Sequence, residues 1–227
     1  TVIDINGASP SVRSVNPGSE TGRAWADTVV LPTGDVMVVG GSGGDNTTND
    51  MSFVPEIWNP ASERWLQMAP SETPRLYHST ALLLKDGTIL VAGGGLFNGR
   101  PFRNNNAEVF TPPYLYDSSG QLASRPRITS APSQALYGNN IDVTHGTSDV
   151  ITRATLIRTG AVTHSNNMEQ RFIELNFEDT SNGVKVALPS SPNIAPPGYY
   201  LLHLLDNKGV PSKAHTIRIL GAAQQSA

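Results

Sequence analysis

The side chains best placed to do chemistry are five histidines, His78, His145, His164, His203 and His215, in a chain without cysteine. The missing cysteine removes disulfides and thiolate metal sites from consideration. One histidine has a neighbour of matching use. Tyr77 and His78 stand side by side in "TPRLYHSTALLLKDGTILVAGGG", residues 73–95, where an apolar strand begins. A phenol oxygen and an imidazole nitrogen there can serve a metal or a substrate, but neighbours along a regular strand face opposite ways. Both reach one point only if the backbone twists at the strand's mouth, and Pro74 favours an irregular entry. His164 lies in "RTGAVTHSNNMEQRF", a polar loop of the kind that carries function, although a solvated loop histidine reads the same way. His203, inside apolar "GYYLLHLLDN", reads as a hydrogen-bonded or edge histidine, while His145 and His215 read as solvated. No H-E-x-x-H occurs. Glycine-rich "GGSGGDN" is followed by no helix that would make it a phosphate cradle.

The elements that must position these residues repeat. When "DTVVLPTGDVMVVGGSGG" (27–44) is laid over "STALLLKDGTILVAGGGLF" (79–97), Gly34 meets Gly87 and Gly40-Gly41 meets Gly93-Gly94, a period of 53 residues. Each copy reads as an apolar strand, a glycine turn, a second strand and a glycine pair. "VPEIWNPASERW" then answers "NAEVFTPPYLY", with Glu56 and Glu108 one residue out of strict register. A period near ~50 built on short strands is the mark of kelch-type propeller blades. The residue corresponding to His78 in the first copy is Trp25, so the blade itself does not require a histidine there. The residues thus leave both a structural and a ligand role open for His78.

Propellers close with typically ~4 to 8 blades, because a lone blade leaves a bare apolar face and unpaired edges. Two copies therefore imply that other polypeptide supplies earlier blades. "TVIDINGASPSV" reads as one more strand entering from such a blade. A start at Thr1 without a signal-like segment fits a processed product or an excerpt. From about Tyr114 the repeat stops, and Pro- and Ser-rich chain leads into short strand patterns at spacings that suggest an immunoglobulin-type β-sandwich. The expected fold is all-β, with residues 1–113 as kelch-type blades, incomplete on their own, and residues 114–227 as an early-set sandwich.

Composition agrees. Only 15 % of residues are charged, against 21 Gly and 17 Pro, which favours strands and turns over helices. A net charge of -3 lacks the basic excess that nucleic-acid binding requires. The longest apolar runs fall far short of the ~20 residues of a membrane-spanning helix. Asn46-Thr47-Thr48 fits a glycosylation sequon.

Five ordered segments resemble the radical copper oxidases, the family of galactose oxidase and glyoxal oxidase. They are "RLYHSTALLLKDGTILVAGGG", "AEVFTPPYLY", "RPRIT", "TGAVTHSNNMEQR" and "PPGYYLLHLLDNKGVPSKAHTIRI". The resemblance covers nearly the whole chain and implies the last blades of a seven-bladed propeller plus its C-terminal sandwich. It implies Tyr77 as an axial tyrosinate and general base, with Tyr77, His78 and His164 as ligands of one copper ion. The implied reaction oxidises a primary alcohol or an aldehyde and reduces O2 to hydrogen peroxide outside the cell. The family's tyrosyl radical, on a tyrosine cross-linked to a cysteine, is expected outside this chain, in N-terminal blades attached covalently or as a separate chain. Galactose oxidase carries a phenylalanine where this chain has small, polar "GSGGDNTTND", which points from galactose towards another small alcohol, aldehyde or carbohydrate. The residues also fit a non-catalytic module in which blades and sandwich serve adhesion or glycan binding.

Overall fold

The computed structural model describes residues 1–16, 18, 22–44, 50–97, 100–101, 104–146 and 150–221. The sequon at 46–48 and most of the "GDNTTN" stretch lie outside them. The protein is all-β, and the one helical segment among the described residues is a 3-10 turn, Pro113–Leu115.

The first strands, β1 (Val2–Asp4) and β2 (Ser11–Arg13), pair with each other as an exposed antiparallel hairpin. The sequence suggested a single strand here; Gly7 and its polar neighbours instead turn the chain back on itself. The first repeat then forms a four-stranded antiparallel blade from β3 (Ala24–Val30), β4 (Val36–Ser42), β5 (Glu56–Asn59) and β6 (Arg64–Gln67), in sequential order. The second repeat forms β7 (Ser79–Leu83) and β8 (Ile89–Gly93) in the corresponding register. A short hairpin follows, β9 (Leu96–Phe97) with β10 (Arg100–Pro101), and then β11 (Ala107–Phe110) pairs with β8.

Alternation along the strands decides how the blades pack. Val29, Leu31, Met37, Val39 and Ile57 of the first blade meet Ala81, Ile89 and Val91 of the second in one buried cluster. Burying each large member contributes roughly 1.5–3 kcal/mol. Val36 and Val38 correspond to Ile89 and Val91 by the repeat. In the second blade that side is buried against the first; in the first blade the same side is only half-buried.

The sandwich packs two sheets face to face. One joins β12 (Ile128–Ser130), β14 (Asn140–His145), β20 (Gly183–Ala187) and β19 (Phe177–Thr180). The other joins β13 (Gln134–Ala135), β22 (His215–Ile219), β21 (Gly198–Asp206), β15 (Ile151–Arg158) and β18 (Phe172–Leu175). Leu156, Val186, Tyr200, Leu202, Leu204 and Ile217 fill the space between them with no exposed surface.

The five-stranded sheet also faces the blades. Arg153 Nη1 and Thr155 Oγ1 donate to the carbonyls of Thr33 and Pro32, and Arg125 Nη1 donates to that of Asp86. Leu83 and Phe172 close an apolar patch with Ile157, Leu201 and Ala214. From this platform a small hairpin, β16 (Val162–Thr163) and β17 (Asn166–Asn167), projects alongside β3 and β7.

Candidate metal centre

The mouth of β7 is built around an arginine. Arg75, 1 % exposed, donates from Nη1 to the Gly93 carbonyl at 3.0 Å and to Asn106 Oδ1 at 3.0 Å, and from Nη2 to Glu108 at 2.7 Å. Arg23 does the same work in the first blade, reaching the Gly40 carbonyl at 3.1 Å and Glu56 at 2.8 Å. The arginines and glutamates are 52 residues apart in the two copies, whereas the strands and glycines are 53 apart. One extra residue therefore lies between Arg75 and Ser79, and it gives the second mouth room for a tyrosine as well as a histidine.

The backbone there leaves the strand conformation. His78 has φ +65°, and Trp25, its counterpart, has φ +63°, so the left-handed step belongs to the blade. The glycine pairs are needed because this turn packs directly on them. A Cβ on Gly40 would stand 2.4 Å from the Arg75 carbonyl oxygen, and one on Gly94 would stand 3.0 Å from the Leu76 nitrogen. The left-handed step brings two sequence neighbours together, with the Tyr77 and His78 rings stacked at 3.8 Å between centroids. Trp25 meets the Tyr77 ring edge-on at 4.6 Å.

His164 arrives from the sandwich. It and Ser165 are the two central residues of the β16–β17 hairpin, with φ +54° and +60°. Two-residue hairpin turns of this kind favour Asn-Gly, since side chains beyond Cβ are disfavoured at positive φ. A His-Ser turn persists only because its surroundings hold it. Gln170 ties the segment to β3, accepting from the Val30 amide at 2.8 Å and donating to Thr28 Oγ1 at 2.9 Å. The His164 ring centroid lies 4.9 Å from that of His78 and 5.9 Å from that of Tyr77. Its Nδ1 pairs with Thr163 Oγ1 at 2.6 Å, so Nε2 is the nitrogen not engaged by that contact. His78 and His164 are exposed, so the cluster opens to solvent.

Beneath the rings runs a buried polar chain that the sequence reading did not single out. Ser79 Oγ donates to Asp27 Oδ2 at 2.5 Å, the Ser79 and Ser165 hydroxyls are 3.4 Å apart, and Ser165 Oγ donates to the Leu76 carbonyl at 3.3 Å. Burial pushes the Asp27 carboxyl up to about 6, against the opposing pull of the Ser79 hydrogen bond and the Arg75 charge. The signal was present in the sequence, since both histidines of the cluster are followed by serine.

The other histidines stand apart from this cluster. His203 is fully buried, with Nδ1 at 2.9 Å from the Ser212 carbonyl, and burial lowers its pKa to about 4. His215 pairs with the Pro132 carbonyl. His145 is half-buried rather than solvated, because β14 continues through it and turns its Nδ1 inward without a partner. Residues Gly40 to Gly44 satisfy the letter of G-x-S-x-G. However, Ser42 is buried, its hydroxyl donates to the Gly44 carbonyl and its neighbour Gly43 opens no helix, so it is no nucleophile elbow.

Residues 14–114 match the glyoxal oxidase N-terminus, and residues 125–219 match the galactose oxidase-like early set domain. The chain belongs to the galactose oxidase and glyoxal oxidase family. Galactose oxidase of Gibberella zeae is 37 % identical over 217 residues, which cover 94 % of this chain and 32 % of that protein. An aldehyde oxidase of Arabidopsis thaliana is 32 % identical over 243 residues, covering 96 % of this chain and 39 % of the relative. A fungal alcohol oxidase solved in complex with copper superposes with a TM-score of 0.85 at 32 % identity, over 93 % of this chain and 45 % of that one. The chain thus spans roughly a third of the length of the curated relatives it matches.

The donor set of this family member fits copper. Among the described residues no three His, Cys, Asp or Glu side chains gather into a metal site, and the Tyr77 phenol stands beside the two imidazoles. Imidazole and phenolate together suit the tetragonal N,O field of Cu(II). Two imidazoles bonded at ~2 Å on adjacent corners of such a field hold their centroids about 4.5 Å apart, whereas opposite corners would need about 6.5 Å. The observed 4.9 Å between His78 and His164 lets both rings meet one metal ion between them.

Proposed function

We propose that this chain is the C-terminal part of a copper-radical oxidase that oxidises primary alcohols or aldehydes and reduces O2 to hydrogen peroxide. Tyr77, His78 and His164 are its copper ligands. The observation that carries the reading is the convergence of a phenol and two imidazoles, from a blade and from the sandwich, with centroids 3.8 to 5.9 Å apart. Copper held there would supply Lewis acidity and one-electron redox capacity.

The chain's own residues have separable tasks. The Tyr77 oxygen accepts the proton of the substrate hydroxyl. Trp25 and His78 pack on the Tyr77 ring and fix its plane. Thr163 fixes the rotation of the His164 ring through Nδ1. The open face of the cluster admits a small alcohol, aldehyde or carbohydrate.

Residues 1–113 are read as the last blades and 114–227 as the sandwich. The half-buried Val36 and Val38 side is where a preceding blade docks, and the cross-linked tyrosyl radical belongs to that missing part of the propeller. The protein acts outside the cell, which is checked by whether peroxide-forming activity appears in culture medium or in washed cells.

The test is made on the full-length protein carrying this chain. It is expected to bind one copper per chain and to form peroxide from primary alcohols or glyoxal-type aldehydes, with a phenoxyl absorption after oxidation. His164→Ala is expected to lower copper affinity by at least 100-fold. Full-length protein that takes up no copper overturns the oxidase reading in favour of a binding module.

A further inference from the structure

We propose that Asp27, Ser79 and Ser165 form a buried hydrogen-bonded lock that sets the relative position of His78 and His164, a role that rests on the copper reading above. The three residues come from three separate pieces of the fold. Asp27 is on β3 of the first blade, Ser79 opens β7 of the second, and Ser165 is at the tip of the sandwich hairpin. Asp27 and Ser79 are each 2 % exposed and Ser165 is 7 % exposed, so water does not compete for these contacts.

Connectivity makes the lock act on the histidines. Ser79 follows His78 and Ser165 follows His164, so anchoring each serine fixes the peptide unit on the C-terminal side of each ring. Both histidines and Ser165 sit at positive φ, between +54° and +65°. A non-glycine residue there costs about 1–2 kcal/mol relative to ordinary backbone, so the turns relax unless something outside them holds them. The hydroxyl of Ser165 lies 3.3 Å from the Leu76 carbonyl, within the loop that carries Tyr77, and 3.4 Å from the Ser79 hydroxyl; its single proton serves one of the two at a time, and either bond ties the hairpin tip to the second mouth. Asp27 accepts from Ser79 at 2.5 Å and stops it from rotating away.

The repeat sharpens the assignment. Ser79 corresponds to Ala26 in the first copy, and Asp27 corresponds to Thr80 in the second, so neither half of the Asp–Ser pair is demanded by the blade. They occur only at the seam beneath the rings, where the two blades and the hairpin meet. A buried carboxyl there is unfavourable for folding in itself, and holding the two imidazoles at a fixed separation accounts for its presence.

The experiment uses the full-length protein with Asp27→Ala, Ser165→Ala and, as the conservative change, Ser79→Thr, which keeps the hydroxyl at a strand position. Copper(II) affinity and the copper(II) EPR spectrum are measured beside amide hydrogen exchange at residues 163–166 in copper-free protein. Removing a group that orients a metal-bound histidine typically weakens binding 10- to 100-fold. Asp27→Ala and Ser165→Ala are expected to fall in that range with altered EPR hyperfine splitting, and to speed exchange at the hairpin tip at least 10-fold. Ser79→Thr is expected to keep affinity and spectrum within ~3-fold of the parent. Folded alanine variants with unchanged copper affinity, spectrum and exchange overturn the lock while leaving the copper reading intact. A parent that binds no copper, but whose hairpin tip loosens in the alanine variants, overturns the copper reading while retaining the lock.

Discussion

Two strand mouths, one repeat apart, share a frame and differ in cargo. In each an arginine, fully buried at 75 and partly buried at 23, reaches a glycine carbonyl and a glutamate, a residue at φ near +64° follows, and a glycine pair lets the turn pack closely. In the first mouth the left-handed residue is Trp25; in the second it is His78, with Tyr77 in the position made by one extra residue. The unusual backbone is thus shared by both mouths, and the candidate chemistry was added by changing which side chain it presents. The sandwich reaches the same backbone region by another route, a two-residue hairpin turn with His164 and Ser165 at positive φ.

The largest test of a shared frame is removal of its arginines. Arg23→Ala strands Glu56, which is 2 % exposed, whereas Arg75→Ala leaves Glu108, 25 % exposed and still accepting from the Glu72 amide, but empties a fully buried site and frees the Gly93 carbonyl. Breaking a buried pair from one side costs about 3–5 kcal/mol, so Arg23→Ala is expected to lose that much in urea unfolding, and Arg75→Ala a similar amount through the cavity and the unpaired carbonyls it leaves. A difference of several kcal/mol between them would mean the two mouths are built differently.

Acid should destabilise the protein through the sandwich interior, while at the mouths Asp27, whose carboxyl is pushed up to about 6, acts in the opposite sense because the folded chain takes up its proton first. His203 is fully buried with its pKa lowered from 6.5 to about 4, so the unfolded chain binds its proton first as pH falls. Its contribution is complete above pH 6.5 and is lost progressively down to pH 4, about 3 kcal/mol in all. Urea midpoints across that range should decline more steeply in the parent than in His203→Gln. Equal slopes would remove the assignment.

The glycine pairs give a smaller, graded test. A Cβ on Gly40 meets the Arg75 carbonyl oxygen at 2.4 Å, whereas one on Gly93 meets the His78 carbonyl oxygen at 3.1 Å, and both glycines have positive φ. Gly40→Ala is expected to cost about 2–4 kcal/mol, from strain plus overpacking, and Gly93→Ala about 1–2 kcal/mol. Thermal melts in the reverse order would contradict the close approach described here. The smallest effect is expected at His164→Asn. Asparagine tolerates positive φ and suits the first position of the turn, so stability should stay level or rise by less than about 1 kcal/mol while copper affinity collapses. A variant that loses stability and keeps copper would reverse the roles given to the turn.

Much of this was legible in the chain. The 53-residue period announced blades because glycine pairs and apolar alternation report backbone geometry directly, and the single-residue slip at Glu56 and Glu108 was visible without coordinates. The adjacency of Tyr77 and His78 raised the requirement for a twisted backbone, which the left-handed conformation at His78 meets. Missed were Asp27, Ser79 and Ser165, whose types are ordinary and whose importance lies in a meeting across 86 residues of sequence, and Trp25, which was used only as a contrast.

Local pattern alone therefore determined the strands, the turns, the repeat and the residue types able to hold a metal, because each depends on neighbours within a few positions. Whether His164 meets Tyr77 and His78, and what holds them at that separation, depended on docking the sandwich sheet onto two blades through Arg153, Thr155, Gln170 and Ser165. Contacts of that range are chosen by the packing of whole surfaces, and no local spacing encodes them.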